Sequence, residues 1–162
     1  MVEKKCAESV RKLSKNKENT DKREFTVDLN LIENFQFDVN FNIDVPNLLV
    51  DESKASGGDG MGPGASSLIG AAVGNCLSAS LLFCLRKARV NITGIHTIVK
   101  GTTARNSEGY LRIQNIEVEL KPSFNNPEAP GIERCKKLFE KYCIATESVR
   151  QGIPVNVTIK PT

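Results

Sequence analysis

Between Leu68 and Leu85 the chain runs for 18 residues without a charged side chain, and Arg86-Lys87 closes the stretch. So apolar a segment has two physical outlets: a lipid bilayer, or a helix wrapped by the rest of the chain. Eighteen residues is at the short limit for crossing ~30 Å of hydrocarbon. The stretch also holds Gly70, Gly74, Asn75, Ser78 and Ser80, and amphipathic segments flank it. A single marginal span is therefore disfavoured, and no membrane partner is expected. The pattern predicts a central helix buried on most sides, with Ser66 or Ser67 as N-cap, ending near Arg89. Arg86, Lys87 and Arg89 suit the negative end of its dipole.

The flanks supply the wrapping. Phe25, Val27, Leu29 and Leu31 alternate with polar residues. After Glu33-Asn34 come Phe35, Phe37, Val39, Phe41, Ile43 and Val45 in the same period of two, which predicts an antiparallel hairpin turning at Glu33-Asn34. Pro46 interrupts, and Leu48-Leu49-Val50 reads as a short third strand. A Gly-rich loop over 51–64 leads into the helix.

Beyond the helix, 94–101 and 110–120 read as strands around an Asn106-Ser-Glu-Gly109 turn. The apolar phase of the second strand flips between Leu111-Ile113 and Ile116-Val118-Leu120, which predicts a bulge near Gln114-Asn115. An amphipathic helix is expected from Pro127 to about Tyr142, with Ile132, Leu138 and Phe139 inward. A short helix over about 145–151 and a last strand through Val155, Val157 and Ile159 complete the layout. The fold class is α+β: antiparallel sheets around a long buried central helix. Residues 1–23 read as a charged N-terminal arm and 24–162 as a single domain, which suits a chain of 162 residues.

A net charge of +3, much of it in the arm, and few aromatic residues give no basis for a nucleic-acid partner. The N-terminus, Met-Val-Glu-Lys-Lys-Cys, lacks the apolar run of a secretory signal. Five widely spread cysteines then suit free thiols in a reducing cytosol better than a disulfide framework, so a cytoplasmic location is expected.

Four of these cysteines have regular spacing. Cys76 and Cys84 are eight apart, as are Cys135 and Cys143. Eight helical residues rise ~12 Å, whereas a disulfide needs Cα atoms within about 7 Å. Any disulfide must therefore join the central helix to the later helical segment, and all four such pairings remain open. In an apolar helix Cys76 and Cys84 can be simple packing residues. Cys143, near a helix start, is better placed for a perturbed thiol. Cys6 lies in the arm, without an evident role. No short Cys-x-x-Cys knuckle and a single histidine, His96, argue against a metal site or Ser-His-Asp chemistry. Gly60-Met-Gly62-Pro-Gly64-Ala65 superficially fits a dinucleotide fingerprint, but that motif leaves a strand in a parallel βαβ unit. No cofactor is expected.

Certain residues carry a family resemblance over about 35–160: Leu48-Leu-Val-Asp-Glu52, Gly62-Pro63, Leu68-Ile-Gly-Ala-Ala-Val-Gly-Asn-Cys76, Arg112-Ile-Gln-Asn-Ile-Glu117, Glu140-Lys-Tyr-Cys143 and Gly152-Ile-Pro-Val-Asn-Val157. In order and spacing they resemble the osmotically inducible protein C (OsmC) and organic hydroperoxide resistance (Ohr) proteins. The resemblance implies an intertwined homodimer with its active site at the subunit interface. It implies a thiol peroxidase of oxidative stress defence in which Cys76 attacks an organic hydroperoxide and becomes a sulfenic acid. Cys143 then condenses with Cys76 to a disulfide, which a dithiol reductant, typically a lipoyl group, reopens.

Three positions depart from the peroxidase pattern. Ser66 and Ser67 stand where such members place a Glu, nine or ten residues before the first cysteine. No Arg lies between Glu24 and Cys76, where those members place one, leaving Lys54 there and Arg23 just before. Ile144 replaces the common Pro after the second cysteine. The alternative is a non-peroxidase OsmC-like protein that binds an apolar small molecule or a thiol at the dimer interface.

Overall fold

In the structure, a computed structural model that describes residues 22–161, two antiparallel sheets and one long helix share the work of burial. The proposed arm over 1–23, with Cys6, lies almost wholly outside the described residues. Strands β1 (Asp28–Glu33), β2 (Gln36–Asn40) and β3 (Leu48–Val50) form the first sheet in the order β1-β2-β3, both pairings antiparallel. The expected turn at Glu33-Asn34 is present, with Asn34 in the left-handed region at φ 46.

The second run is shorter than its alternation suggests, because the strand stops at Asn40. Asn42 takes φ 56, its N–H donates to Asn40 Oδ1 at 2.7 Å, and its amide reaches Asp28 Oδ2 at 2.8 Å. These local bonds compete with the ladder and bend the chain away from it. Phe41, Ile43 and Val45 are left exposed.

The Gly-rich loop is anchored by Asp51, whose Oδ2 accepts the N–H groups of Asp59 at 3.1 Å and Met61 at 3.0 Å. A Cβ on Gly58 or Gly62 would run into the backbone oxygen of Glu52 or Leu49, so both positions demand glycine for close approach. The glycines thus fold the loop onto its own stem, and the sheet before it is antiparallel, which rules out the dinucleotide motif.

Helix α1 spans Ala65–Lys87. Its N-cap is Gly64, with no side-chain cap, and not Ser66 or Ser67, which fall inside the first turn. At the far end Arg89 turns left-handed (φ 57) and Val90 N–H closes on Leu85 O. The helix has the length and apolarity of a membrane span, yet it is built into the fold. Val73, Leu77, Leu81 and Leu85, four residues apart, form the buried stripe.

Burial is narrower than expected. Ile69, Ala71, Ala72, Asn75, Ala79 and Phe83 remain exposed on other faces. α1 lies across the second sheet, made of β4 (Ile92–Arg105) and β5 (Leu111–Phe124). Contact is close at Gly74, where an added Cβ would stand 2.6 Å from Val99 Cγ2. One turn on, the Ser78 hydroxyl donates to Gly74 O and meets Thr97 Oγ1, each at 2.7 Å.

The β4–β5 hairpin is longer than its sequence pattern predicts, and its ladder pairs Thr102 with Asn115 but Thr103 with Ile113. Gln114 is the extra residue, at the expected bulge. Asn106 Oδ1 closes the turn by accepting from Glu108 and Tyr110 N–H.

The long helix expected over 127–142 is replaced by α2 (Ile132–Leu138) and a 3-10 turn, Phe139–Tyr142. Gly131 takes φ 103 at the α2 N-cap, so the chain cannot be helical through Pro130-Gly131. Ile132 and Phe139 point inward as expected. Helix α3 (Ile144–Gln151) follows directly.

The last strand is absent: 152–161 holds no regular structure, and Val155, Val157 and Ile159 are more than 80% exposed. A strand exists only against a ladder partner, and among the described residues no strand pairs with this segment.

Candidate functional site

α1 runs antiparallel to the α2–α3 segment, so a spacing of eight on one side registers with a spacing of eight on the other. Of the four open cysteine pairings, two are realised in space. Cys84 and Cys135 form a disulfide with Cα atoms 5.6 Å apart, which corrects the expectation of free thiols throughout. Cys76 and Cys143 are free, and they are neighbours. They sit two helical turns from the disulfide.

Cys143 occupies a special backbone position. At φ −85 and ψ 100 it is the N-cap of α3, and its sulfur takes the role usually filled by a serine or aspartate oxygen. Thr146 N–H donates to Sγ at 3.4 Å, and the Thr146 hydroxyl meets Sγ at 3.0 Å. Both residues are buried, Cys143 completely. Burial pushes the Cys143 thiol above its ordinary range, and the neighbouring Cys76 pushes it the same way. The two bonds from Thr146 partly offset this rise. The Cys143 thiol is therefore harder to deprotonate than that of a free cysteine.

Cys76 lies half-buried on α1, packed against the core that contains Cys143. Beside the pair opens a cavity of about 600 Å³. Val73 and Leu77, three before and one after Cys76, line it from α1, and Ile116, Val118 and Leu120 line it from β5. Thr146, Val149 and Arg150 line it from α3, Glu140 from the 3-10 turn, and Gln114 and Asn115 from the bulge, so the wall is mixed and neither cysteine is part of it. Among the described residues Arg150 is the only cation of the wall. Its guanidinium is held by Glu140 at 2.9 Å and Glu147 at 2.8 Å, so its charge is already compensated.

The other candidate groups lie elsewhere. Lys54 sits exposed in a 3-10 turn, Lys54–Ser56, and Arg23 is exposed ahead of β1. Ser66 and Ser67 line a separate cavity of about 350 Å³ between α1 and the β4–β5 sheet, with Gly70 and Val99. His96 faces solvent on β4, opposite Lys121. Among the described residues no cluster of three or more His, Cys, Asp or Glu could hold a metal ion.

Sequence reasoning missed Thr146. Its signal was present, since a polar residue three positions after a helix-starting residue is the usual capping geometry. The Cys84–Cys135 bond had a signal too, in the matched spacing of eight, but only the antiparallel course of the helices turns that spacing into two pairs.

The sequence pattern described as OsmC-like protein matches residues 57–158. No curated protein matches the chain. Among solved structures, the fold is similar to an OsmC-like protein of unknown function from Vibrio cholerae, with TM-score 0.69 and 14% identity over 78% of this chain and 94% of that one. It is also similar to an OsmC-like protein from Mycoplasma pneumoniae (TM-score 0.65, 17% identity, 79% and 88% covered). A third likeness is to an organic hydroperoxide resistance protein from Legionella pneumophila (TM-score 0.60, 12% identity, 80% and 92% covered). At such identities the likeness is one of fold.

Proposed function

The chain belongs to the family of OsmC-like proteins, and from that premise we propose that it is a thiol peroxidase reducing organic hydroperoxides through Cys76 and Cys143. The observation that carries this reading is the apposition of the two free thiols, next to a cavity whose wall holds Val73 and Leu77 from α1 and Thr146, the partner of Cys143. In the first step the Cys76 thiolate attacks the distal peroxide oxygen. The O–O bond breaks, Cys76 gains one oxygen as a sulfenic acid, and the alkoxide leaves with a proton as an alcohol. In the second, the Cys143 sulfur attacks the Cys76 sulfur, a disulfide forms, and the hydroxyl departs with the Cys143 proton as water. A dithiol, of lipoyl or similar type, reopens that disulfide by exchange.

The chemistry of the wall sets the character of such an enzyme. Val73, Leu77, Val118 and Leu120 favour a hydroperoxide with a hydrocarbon body over hydrogen peroxide. Ser66 and Ser67 bring no carboxylate to the thiols, and Arg150 is spent on Glu140 and Glu147. A thiolate without a facing cation is costly in an apolar site, so the reaction is slow unless a second subunit supplies the charge. We read the working form as a homodimer for this reason and for the uncovered apolar surfaces of the single chain. Peroxide consumption with a dithiol reductant tests the assignment. Wild type should turn over an alkyl hydroperoxide and Cys76→Ser should not; equal inertness of both sinks it.

The compensated Arg150 also favours a second reading, an OsmC-like protein that binds an apolar small molecule or thiol in the same cavity without turnover. Rapid sulfenate formation at Cys76 with micromolar hydroperoxide would eliminate that alternative.

A further inference from the structure

The Cys84–Cys135 disulfide is not used by the chemistry above, and its surroundings are unlike those of a bond buried for stability. Cys135 is 1% exposed, whereas Cys84 is only partly buried. Both line a pocket of about 240 Å³ that they share with Phe83, Lys87, Arg134 and Tyr142. Phe83 and Tyr142 meet edge to face, with ring centroids 6.3 Å apart. Lys87 Nζ stands 4.5 Å over the Phe83 ring. Arg134 is exposed, and neither cation is in an ion pair among the described residues. Among the described residues the lining contains no carboxylate. A disulfide whose Cys84 is only partly buried thus sits in a pocket with two cations outside any ion pair and an aromatic wall.

We propose that this pocket is a thiol–disulfide exchange site for small anionic thiols, and that Cys84–Cys135 is a second redox couple, independent of Cys76 and Cys143. The carboxylate of the incoming molecule is held by Lys87 and Arg134, and its thiolate attacks the sulfur of Cys84, the less buried of the two cysteines. A mixed disulfide forms at Cys84, the Cys84–Cys135 bond breaks, and Cys135 leaves as a thiolate that takes up a proton. A second thiolate then attacks the ligand sulfur of the mixed disulfide and releases Cys84, which is protonated in turn. In sum, two thiols are oxidised to one small-molecule disulfide and the protein disulfide is reduced to a dithiol. Eight helical residues separate Cys84 from Cys76, ~12 Å along α1, so the two couples cannot exchange directly.

The test uses the full chain and reads Cys84 and Cys135 by differential alkylation and peptide mass mapping. Bond opening is timed with 3-mercaptopropionate, 2-mercaptoethanol and cysteamine at equal thiolate concentration. Each rate is divided by that for the same thiol on the urea-unfolded protein, which removes intrinsic nucleophilicity. The site predicts that the anionic thiol exceeds the neutral one by roughly fivefold, that cysteamine is slowest, and that added salt compresses the series. Lys87→Glu with Arg134→Glu should abolish or invert the order. Three equal normalised rates, opening only in urea, or an unchanged order in the double variant would each overturn the proposal. So would finding Cys84 and Cys135 unpaired after air oxidation.

Discussion

At the scale of single residues, the site is governed by what holds a proton on Cys143. Burial and the adjacent Cys76 raise its pKa, and Thr146 opposes both through its hydroxyl and its amide. Thr146→Val keeps the shape of the side chain and the backbone bond but deletes the hydroxyl. The pH at which Cys143 is half-alkylated in the reduced protein should then move upward, while Thr146→Ser should stay near wild type; no shift in the valine variant would contradict the assigned role. The same thiol links stability to pH. In the unfolded chain it titrates near ~8.5, and in the folded protein higher. Below the unfolded value both states keep the proton and the stabilising difference is fully present. Above it the unfolded chain loses its proton first, so stability falls as pH rises through the folded pKa. Comparing Tm for wild type and Cys143→Ala should show their difference greatest below the ~8.5 of a free thiol and shrinking as pH rises above it.

At the scale of elements, the crossing of α1 over β4 positions Cys76. Gly74 is two residues before it, and a Cβ there would stand 2.6 Å from Val99 Cγ2. In a free helix Gly→Ala gains about 1 kcal/mol, but overpacking costs about 1–3 kcal/mol. Gly74→Ala should therefore be neutral to destabilising in wild type and clearly stabilising in a Val99→Ala background, where the clash is gone. A double-mutant cycle by denaturant unfolding reads this as a coupling of about 1–2 kcal/mol; additivity would mean that the crossing is not tight. Elements defined by local chemistry were legible in sequence. The turn at Asn34 follows from the polar Glu33-Asn34 step between two alternating runs, and the bulge at Gln114 from a phase change in a period of two; neither needs knowledge of the rest of the chain. The break before α2 was written in Pro130-Gly131 but was outvoted by the amphipathic pattern around it. Which cysteine meets which was not legible at all from spacing, because that depends on how two distant helices run past one another. The family resemblance chose Cys76 with Cys143, and the structure makes those two neighbours and bonds the other two.

At the scale of the whole molecule, the single chain leaves apolar surface uncovered in several places. Among them are the α1 face through Ile69 and Phe83, β1 with Leu29 and Leu31, the segment after β2 with Phe41, Ile43 and Val45, and the tail with Val155, Val157 and Ile159. The tail has period-two alternation and no ladder. An extended segment with one apolar face is stable only when its backbone groups are paired and that face is covered. Among the described residues nothing does this, which is why the last strand is expected from its pattern and is missing here. A second copy can supply both the sheet edge and the cover, and the proposed homodimer thus predicts where its ordering occurs. Sedimentation should give about twice the 17.7 kDa chain mass. Amide exchange at 155–159 should be slow in the dimer, and Val157→Asp should both unprotect those amides and shift the mass toward monomer. Burying an unpaired carboxylate costs several kcal/mol, so one substitution per chain, felt twice across a symmetric interface, is enough to move the equilibrium. If instead the tail exchanges freely in a protein of dimeric mass, the interface lies on α1 and the tail alternation has no ladder to serve.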